Sequence, residues 1–298
     1  MSLSIILALL AFVILAAVNI LDKFVMQKRL APATFVFFSS IFLLPVVLLL
    51  PFGVRPLSGA TDWAWAVFSG FTFCLSLWTM YVGLQKNEAS HFTPFTGAAV
   101  AFFVLCLSSI FLRERLSIFD VLAIFVLIGG SLLIASGCGV HGGWDKKFIF
   151  WGLLAGFFSA VSQVAAKHLY DSYGFYSGMV WRVLAIAVFG IFLLFSAVVR
   201  REAFGGRGHA AKGHLSAVVW NKILGVAGIV LFQYAVALGS VTIVNALAGV
   251  QYALLIILIA VLSRFYPGLF RESYTRGEMR REIISVIIIA AGLAFFVW

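Results

Sequence analysis

The fold of this chain is decided by residues Trp78–Leu116, which read WTMYVGLQKNEASHFTPFTGAAVAFFVLCLSSIFLRERL. An apolar segment that begins near Asp62 ends at Leu84, a short polar turn follows, and a second apolar segment runs from about Ser90 to Leu112. A helix needs about 20 apolar residues to cross the hydrocarbon core of a bilayer, and both segments reach that length. Two such helices joined by so short a turn must lie antiparallel and side by side. The stretch therefore predicts a helical membrane protein that crosses the bilayer more than once.

The composition of the whole chain supports this prediction. Of the 298 residues, 63% are hydrophobic and only 11% are charged, and the mean hydropathy is +1.10. A soluble domain usually has about 25% charged residues, so this chain lacks the polar surface that water requires. The net charge of +10 falls in the loops between apolar segments. We interpret it as a signal for orientation in the membrane rather than for binding to nucleic acid.

The apolar segments divide the chain into two halves. The predicted spans are residues 3–21, 34–51, 62–84, 90–112, 118–136, 147–167, 173–199, 217–238, 241–263 and 282–298. A weak copy of the first stretch recurs at Leu231–Phe265, and a glycine-rich stretch between the fifth and sixth spans indicates a boundary. We predict a first repeat at residues 1–137, a linker loop at 138–147 and a second repeat at 148–298.

The number of spans in each half predicts how the halves are related. Five is odd, so the second half must enter the membrane in the opposite orientation to the first. The predicted fold class is an all-α polytopic membrane protein with ten transmembrane helices, arranged as two inverted five-helix repeats. Many transporters have this arrangement, with the substrate site near the midplane between the repeats.

Polar side chains inside the spans are functional candidates, because a polar group in hydrocarbon is costly. Asn19 precedes Lys23 by four positions in the first span, and Gln163 precedes Lys167 by four positions in the sixth. Residues with this spacing share one helix face, so each amide and its lysine point the same way. The lysines also lie near helix ends, where the alternative is that they extend to the membrane interface.

Two charged residues in the spans have both a functional and a structural interpretation. Asp22 is the carboxylate nearest the amide–lysine face, and it is a candidate for coupling transport to protons. The alternative is a structural pair with Lys23 or Lys28. Arg182 lies about ten residues into the seventh span, where its pairing with backbone carbonyls or a carboxylate is the alternative to substrate contact.

No catalytic motif is found in the sequence. It has no His-Glu-x-x-His pair, no serine nucleophile elbow and no Walker loop, so we predict neither an enzyme nor an ATP-driven pump. Cys74, Cys106 and Cys138 lie in or at the ends of apolar runs and are expected to be free thiols. The histidines lack the spacing of metal ligands, and we expect no metal and no cofactor.

Several short motifs resemble one family. Tyr81-Val-Gly-Leu84 stands before a short turn, Pro94 lies inside the fourth span, and that span ends in Leu112-Arg-Glu-Arg-Leu116. Together with a lysine that closes the first helix of each half and with Arg182, these motifs resemble the drug/metabolite transporter superfamily, EamA-like branch. The chain departs from the family pattern at Arg113, where the family typically shows glycine. The family usually has cytoplasmic termini, whereas the charge distribution of this chain predicts termini outside.

The resemblance implies a central cavity lined by the first, third, fourth, sixth, eighth and ninth spans. The alternative for each aromatic candidate is packing or a place in the interfacial belt. The candidate substrate-binding residues are Asn19, Lys23, Trp78, Tyr81, Gln163, Lys167, Gln233, Tyr234, Asn245, Gln251 and Tyr252. The candidate structural or gating residues are Pro94, Glu114 and Arg182.

We therefore predict a secondary-active transporter that moves a small polar or amphipathic metabolite, such as an amino acid, by alternating access. One alternative is a carrier of a choline-like quaternary amine, which would need converging aromatic rings and no lysine in the cavity. Another is a flippase for a lipid-linked head group, which would need a lateral opening and a basic pocket. A third is an intramembrane enzyme or an assembly factor. The expected partners are a small-molecule substrate and the lipid bilayer, with the protein a monomer or homodimer in a bacterial inner membrane.

Overall fold

A computed structural model of the chain describes residues 2–25, 31–51, 53–87, 89–136, 145–204, 212–265 and 276–297. These residues are almost entirely helical, and no strand occurs among them. The helices are α1 (Leu3–Val25), α2 (Pro32–Leu43), α3 (Ala60–Leu84), α4 (Ala89–Leu107), α5 (Ile118–Ala135), α6 (Lys146–Phe192), α7 (Ala197–Phe204), α8 (Lys212–Leu238), α9 (Val241–Ala246), α10 (Ala248–Phe265) and α11 (Arg276–Val297). A 3-10 segment, Leu44–Leu49, extends α2, and a π-helical segment, Ser108–Leu112, extends α4.

Six segments of the described chain are long and apolar enough to cross a membrane. They are Leu3–Ile20, Ala60–Leu84, His91–Leu112, Ile118–Ala135, Lys146–Phe195 and Val241–Leu258. Two shorter apolar segments are Pro32–Leu48 and Ile223–Leu238. Large apolar side chains such as Phe71, Phe157 and Ile191 are exposed on the outside of the helices, as a surface in contact with lipid requires.

The longest helix, α6, is a hairpin of two arms. A straight helix of its 47 residues would be about 70 Å long, more than twice the hydrocarbon thickness of a bilayer. Gly174 interrupts it with φ +78° and ψ 162°, a conformation that glycine adopts without strain. We call residues 146–173 the first arm and residues 175–192 the second arm. Arg182 of the second arm contacts Ser162 of the first, which shows that the arms are antiparallel.

The hairpin corrects one predicted boundary. The predicted sixth span ends at Lys167, but the first arm of α6 continues to the reversal at Gly174. Within the predicted ninth span, Val241–Leu258 is one apolar segment long enough to cross a membrane, in which the single residue Leu247 separates α9 from α10. The predicted linker, residues 138–147, lies largely outside the described residues.

The core of the bundle is built by close packing between α3 and α6. Gly70 of α3 lies directly on the second arm, where a methyl group at this position would be 2.7 Å from the Ala185 Cβ atom. Further contacts join α1 to α8, α4 to α6 and α5 to α11. Small residues allow helix backbones to approach closely in a membrane, where packing replaces the hydrophobic effect between helices. The α3–α6 contact therefore fixes the positions of the polar side chains that these helices carry.

Candidate functional site

A buried arginine forms the centre of a polar network inside the bundle. Arg182, on the second arm of α6, is 2% exposed. Its Nη2 donates to the Ser162 hydroxyl at 3.2 Å, and its Nη1 donates to the Tyr170 hydroxyl at 3.5 Å. Its guanidinium carbon also lies 5.3 Å from the centre of the Phe73 ring, a distance suited to a cation–π contact. The partners of this side chain thus lie on the first arm of α6 and on α3.

Two glutamines extend the network from Tyr170 to α8. The Tyr170 hydroxyl donates to Gln233 Oε1 at 3.0 Å, and Gln233 Nε2 donates to Gln163 Oε1 at 3.1 Å. The Met179 sulfur lies 3.5 Å from the same hydroxyl. This chain of hydrogen bonds connects both arms of α6 to α8, so the relative position of these helices depends on it.

Two serines connect the network to α3. The Ser162 hydroxyl donates to the Ser69 carbonyl at 2.9 Å, and the Ser69 hydroxyl donates to the Ser162 carbonyl at 3.0 Å. We call these two serines, with Gln163, Tyr170, Arg182 and Gln233, the Arg182 network. Each of the six residues is buried.

The charge of Arg182 has no counter-charge in the described part of the chain. Its hydrogen bonds there go to two hydroxyls, and its Nε atom is buried without a hydrogen-bond partner. Burial of an unpaired charge costs several kcal/mol, roughly, even after the surroundings relax. The network is therefore a buried cationic site with an unused donor.

The structure joins two of the predicted binding residues directly, Gln163 and Gln233. Lys167 lies elsewhere, because its ammonium group pairs with Asp171 at 2.8 Å and donates to the Ala237 carbonyl at 3.2 Å. Asn245 donates back to the Val241 carbonyl of its own helix. None of these three additional contacts reaches the Arg182 network.

The remaining predicted residues are distributed over several helices. The Tyr252 ring is buried and packs on Gly97 of α4, and Tyr81 stacks on Phe35 with ring centres 3.6 Å apart. Trp78 is 49% exposed. Asn19 and Gln251 are half-buried, and Pro94 is buried inside α4. For Asp22 and Lys23 the structure describes only the backbone, which lies in α1.

Sequence reasoning missed Tyr170, although a signal was present. Tyr170 follows Gln163 by seven positions and Lys167 by three, so all three lie on one face of a helix. Ser69 and Ser162 gave no comparable signal, because single serines are common in membrane helices and usually bond to their own backbone.

An apolar cleft of about 690 Å³ lies beside the network on the outside of α8. Its lining residues are Phe175, Ile223, Val226, Ala227, Val230, Leu231 and Tyr234. The Phe175 ring centre is 4.9 Å from that of Tyr234 and 5.6 Å from that of Tyr170. Phe175 therefore stands between the cleft and the Arg182 network.

Glu114 joins the end of α4 to the start of α9. Its Oε1 accepts the Val241 N–H at 2.9 Å, and its Oε2 accepts the Thr242 hydroxyl at 2.5 Å. The Ser108 hydroxyl lies 2.6 Å from the Thr242 hydroxyl. Arg113 adopts the left-handed conformation, with φ 52°, so that Glu114 can turn toward α9. This conformation gives a physical reason for the family's glycine at the position of Arg113.

Comparison with known proteins gives a family match for the first part of the chain. Residues 2–136 match the model of the EamA-like transporter family. The matched part is a little under half of the 298 residues, and it is similar to this branch of the drug/metabolite transporter superfamily. Members of the EamA family are transporters rather than enzymes, and the long apolar helices of this chain support an integral membrane protein.

A solved structure shares the overall fold of this chain. One crystal structure superposes with a TM-score of 0.69 at 15% sequence identity. The superposition covers 99% of this chain and 98% of that chain, so the two share a fold over their whole lengths. No curated protein matches the sequence.

We predict that Gln163 and Gln233 act as a unit in stability. Gln163→Leu or Gln233→Leu leaves the other amide buried with an unpaired group, which should cost about 1–3 kcal/mol in unfolding free energy. The double variant removes both amides, so it should cost about 1 kcal/mol less than the sum of the single variants. Unfolding of the four proteins in detergent measures this coupling. Additive losses would contradict the hydrogen bond between the two side chains.

Proposed function

We propose that this protein is a secondary-active transporter of a small polar or amphipathic metabolite, such as an amino acid, that works by alternating access of two inverted five-helix repeats. The observation that carries the proposal is the Arg182 network, a set of polar side chains buried inside an apolar bundle of a transporter family. Such groups are retained in membrane helices mainly at substrate and ion pathways.

The depth of the network agrees with a substrate site. Arg182 lies eight residues beyond Gly174, which corresponds to about 12 Å along the helix axis. Half of a typical hydrocarbon core is about 15 Å, so with Gly174 at the membrane surface the guanidinium group would come close to the midplane. Transporters with inverted repeats bind substrate at this depth.

The ten proposed spans can be assigned to the described helices. The six long segments supply seven crossings when the arms of α6 are counted separately. The two shorter apolar segments and α11 supply three more. The Glu114 contact would then connect the first repeat to the second at one end of the bundle. Alternating access would require this contact to break when that end opens.

Flexible points are available for such a movement. Pro94 interrupts the hydrogen bonding of α4, and Leu247 separates α9 from α10. Coupling to protons would be the role of Asp22, the carboxylate in α1. We propose a bacterial inner membrane as the location and a monomer or homodimer as the assembly.

A flippase for a lipid-linked head group is the second candidate function. The apolar cleft beside α8 supports it, because a lipid chain could occupy the cleft while a head group reaches past Phe175 toward Arg182. The choline-like carrier receives less support, since a buried arginine repels a quaternary ammonium group.

Transport by purified protein in liposomes tests the proposal. A thermal-unfolding screen with amino acids, quaternary amines, nucleotide sugars and lipid head-group analogues selects compounds for uptake, since a ligand at a hundred times its Kd stabilises the folded state by about 2.7 kcal/mol. We expect uptake of one class by wild type and at least a tenfold lower initial rate for Gln233→Leu, because a buried hydrogen bond is lost. Gln85→Leu, at an exposed position where α3 ends, is the matched control and should transport normally. Equal rates for Gln233→Leu and wild type would contradict this site.

A further inference from the structure

We infer that Arg182 binds an anionic group of the substrate, so that the transported class is a carboxylate or a phosphate ester rather than a neutral or cationic solute. The inference rests on the proposed transport function and adds the charge of the substrate to it. The same chemistry, an oxyanion with at least two acceptor oxygens, is shared by carboxylates and phosphates.

The first argument is the missing counter-charge. The guanidinium group of Arg182 is buried among Ser162, Tyr170 and Phe73, and no carboxylate of the described chain lies within ion-pair distance. A cation in this position gains more from an anion than one at the surface, because the surrounding dielectric constant is low. A substrate anion would supply the missing charge each time the site is loaded.

The second argument is the unused donor. The Arg182 Nε–H is buried and has no acceptor among the described residues, although buried donors in folded proteins are nearly always paired. A guanidinium group presents its donors as a fork that matches two oxygens of a carboxylate or phosphate. With Nε free, one edge of the fork lacks an acceptor, which an oxyanion could provide.

The third argument is that the partners of Arg182 do not depend on it. The Ser162 hydroxyl also donates to the Ser69 carbonyl, and the Tyr170 hydroxyl also donates to Gln233. The N–H groups of Arg182 donate to lone pairs of these two hydroxyl oxygens and do not occupy the hydroxyl hydrogens. If the arginine served only to hold the helices together, its removal would leave buried groups without hydrogen bonds, but here both hydroxyls remain bonded.

Lys167, the other described cation in this region, is already paired and therefore cannot bind the anionic group of the substrate. The Lys167 ammonium group is neutralised by Asp171 and is bonded to the Ala237 carbonyl at the end of α8. An anion at Lys167 would have to displace that carboxylate. Arg182 therefore offers the unpaired positive charge.

The test is ligand-induced thermal stabilisation of the purified full-length protein with pairs of probes that differ in charge. The pairs are phenylalanine and phenylalaninamide, 4-methylpentanoate and 4-methylpentanamide, and glycerol 3-phosphate and glycerol. The proteins are wild type, Arg182→Met, Arg182→Lys and the control Lys86→Met, which removes an exposed lysine beside Trp151. The first two pairs report on carboxylate and the third on phosphate.

In each pair, we expect the probe that carries a carboxylate or phosphate group, and not the probe that lacks it, to stabilise wild type and Lys86→Met. The apparent affinity should fall at least tenfold in Arg182→Met and less in Arg182→Lys, which retains the charge without the fork. Without ligand, Arg182→Met should unfold within about 4 °C of wild type, because its former partners remain bonded. If Arg182→Met does not fold, Arg182→Lys decides the test. Its affinity for the stabilising probe must then be lower than that of wild type.

Three results would overturn the inference: no probe with a carboxylate or phosphate group stabilises wild type, such a probe stabilises Arg182→Met equally, or the probes without this group stabilise wild type as well as those with it. Liposome uptake distinguishes this failure from failure of the proposed function. Uptake of a neutral solute that is unaffected by Arg182→Met would retain the transporter and overturn the anion site. Binding of an anion through Arg182 without any transport would retain the site and contradict the transporter.

Discussion

Replacing Gly70 with leucine is expected to prevent folding or to lower the unfolding free energy by about 3 kcal/mol or more. The position where a Cβ atom would stand is 2.7 Å from the Ala185 Cβ, 2.8 Å from the Ile186 backbone nitrogen and 2.9 Å from the Ala185 carbonyl carbon. Two of these three atoms belong to the backbone, so the contact can be relieved only if α3 moves away from α6. Such a movement would also separate Ser69 from Ser162 and disturb the position of Arg182.

The yield of monodisperse protein and its unfolding temperature in detergent measure this effect. Gly129→Leu is the matched control, because Gly129 lies on an exposed face of α5, and a Cβ atom there would meet no other part of the described chain within 4 Å beyond its own helix backbone. We expect Gly129→Leu to be as stable as wild type or more stable, since leucine favours helix over glycine. A normal yield and stability for Gly70→Leu would show that α3 and α6 are not packed this closely.

Replacing Glu114 with alanine is expected to cost about 2–3 kcal/mol in unfolding free energy. The carboxylate accepts the Val241 N–H at the start of α9 and the Thr242 hydroxyl, so its loss leaves both donors without this acceptor. A negative charge at the N-terminus of a helix is also favourable. Glu114→Gln should lose less, because one acceptor oxygen remains.

Arg113→Gly is the control for this substitution. It changes the adjacent residue but relieves the strain of a left-handed backbone conformation at φ 52°. Its unfolding free energy should therefore be equal to that of wild type or higher by about 1 kcal/mol. Denaturation of the three variants in the same detergent compares them directly. If Glu114→Ala and wild type were equally stable, the carboxylate would not hold α9 in the folded protein.

Hydropathy and turn length predicted the helical fold because these features depend on local sequence. The turn that follows Leu84 separates α3 from α4 as expected, and the break in the hydrophobic pattern before the seventh span corresponds to the hairpin of α6. The exact reversal at Gly174 could not be predicted, because several residues near it are compatible with a turn. The division between α9 and α10 has no proline to mark it, since Ala248 stands where the first half has Pro94.

The candidate site could be predicted only in part. Gln163 and Gln233 were found because amides are rare in apolar spans, but nothing in the sequence showed that they bond to each other across 70 positions. Arg182 was assigned a structural or gating role by resemblance. Whether the charge of Arg182 is paired depends on which carboxylates lie near it in space, and the sequence does not show those distances. The Glu114 contact likewise joins residues 127 positions apart.

The measurement that tests the central claim most directly is substrate counterflow in liposomes that contain the purified protein. The liposomes are loaded with an excess of the compound that stabilises the protein, and labelled compound is added outside. A carrier with alternating access should accumulate label transiently inside, and Gln233→Leu should reduce this accumulation at least tenfold while Gln85→Leu should not. No accumulation with wild type, or equal accumulation with Gln233→Leu, would contradict a transporter whose substrate site is the Arg182 network.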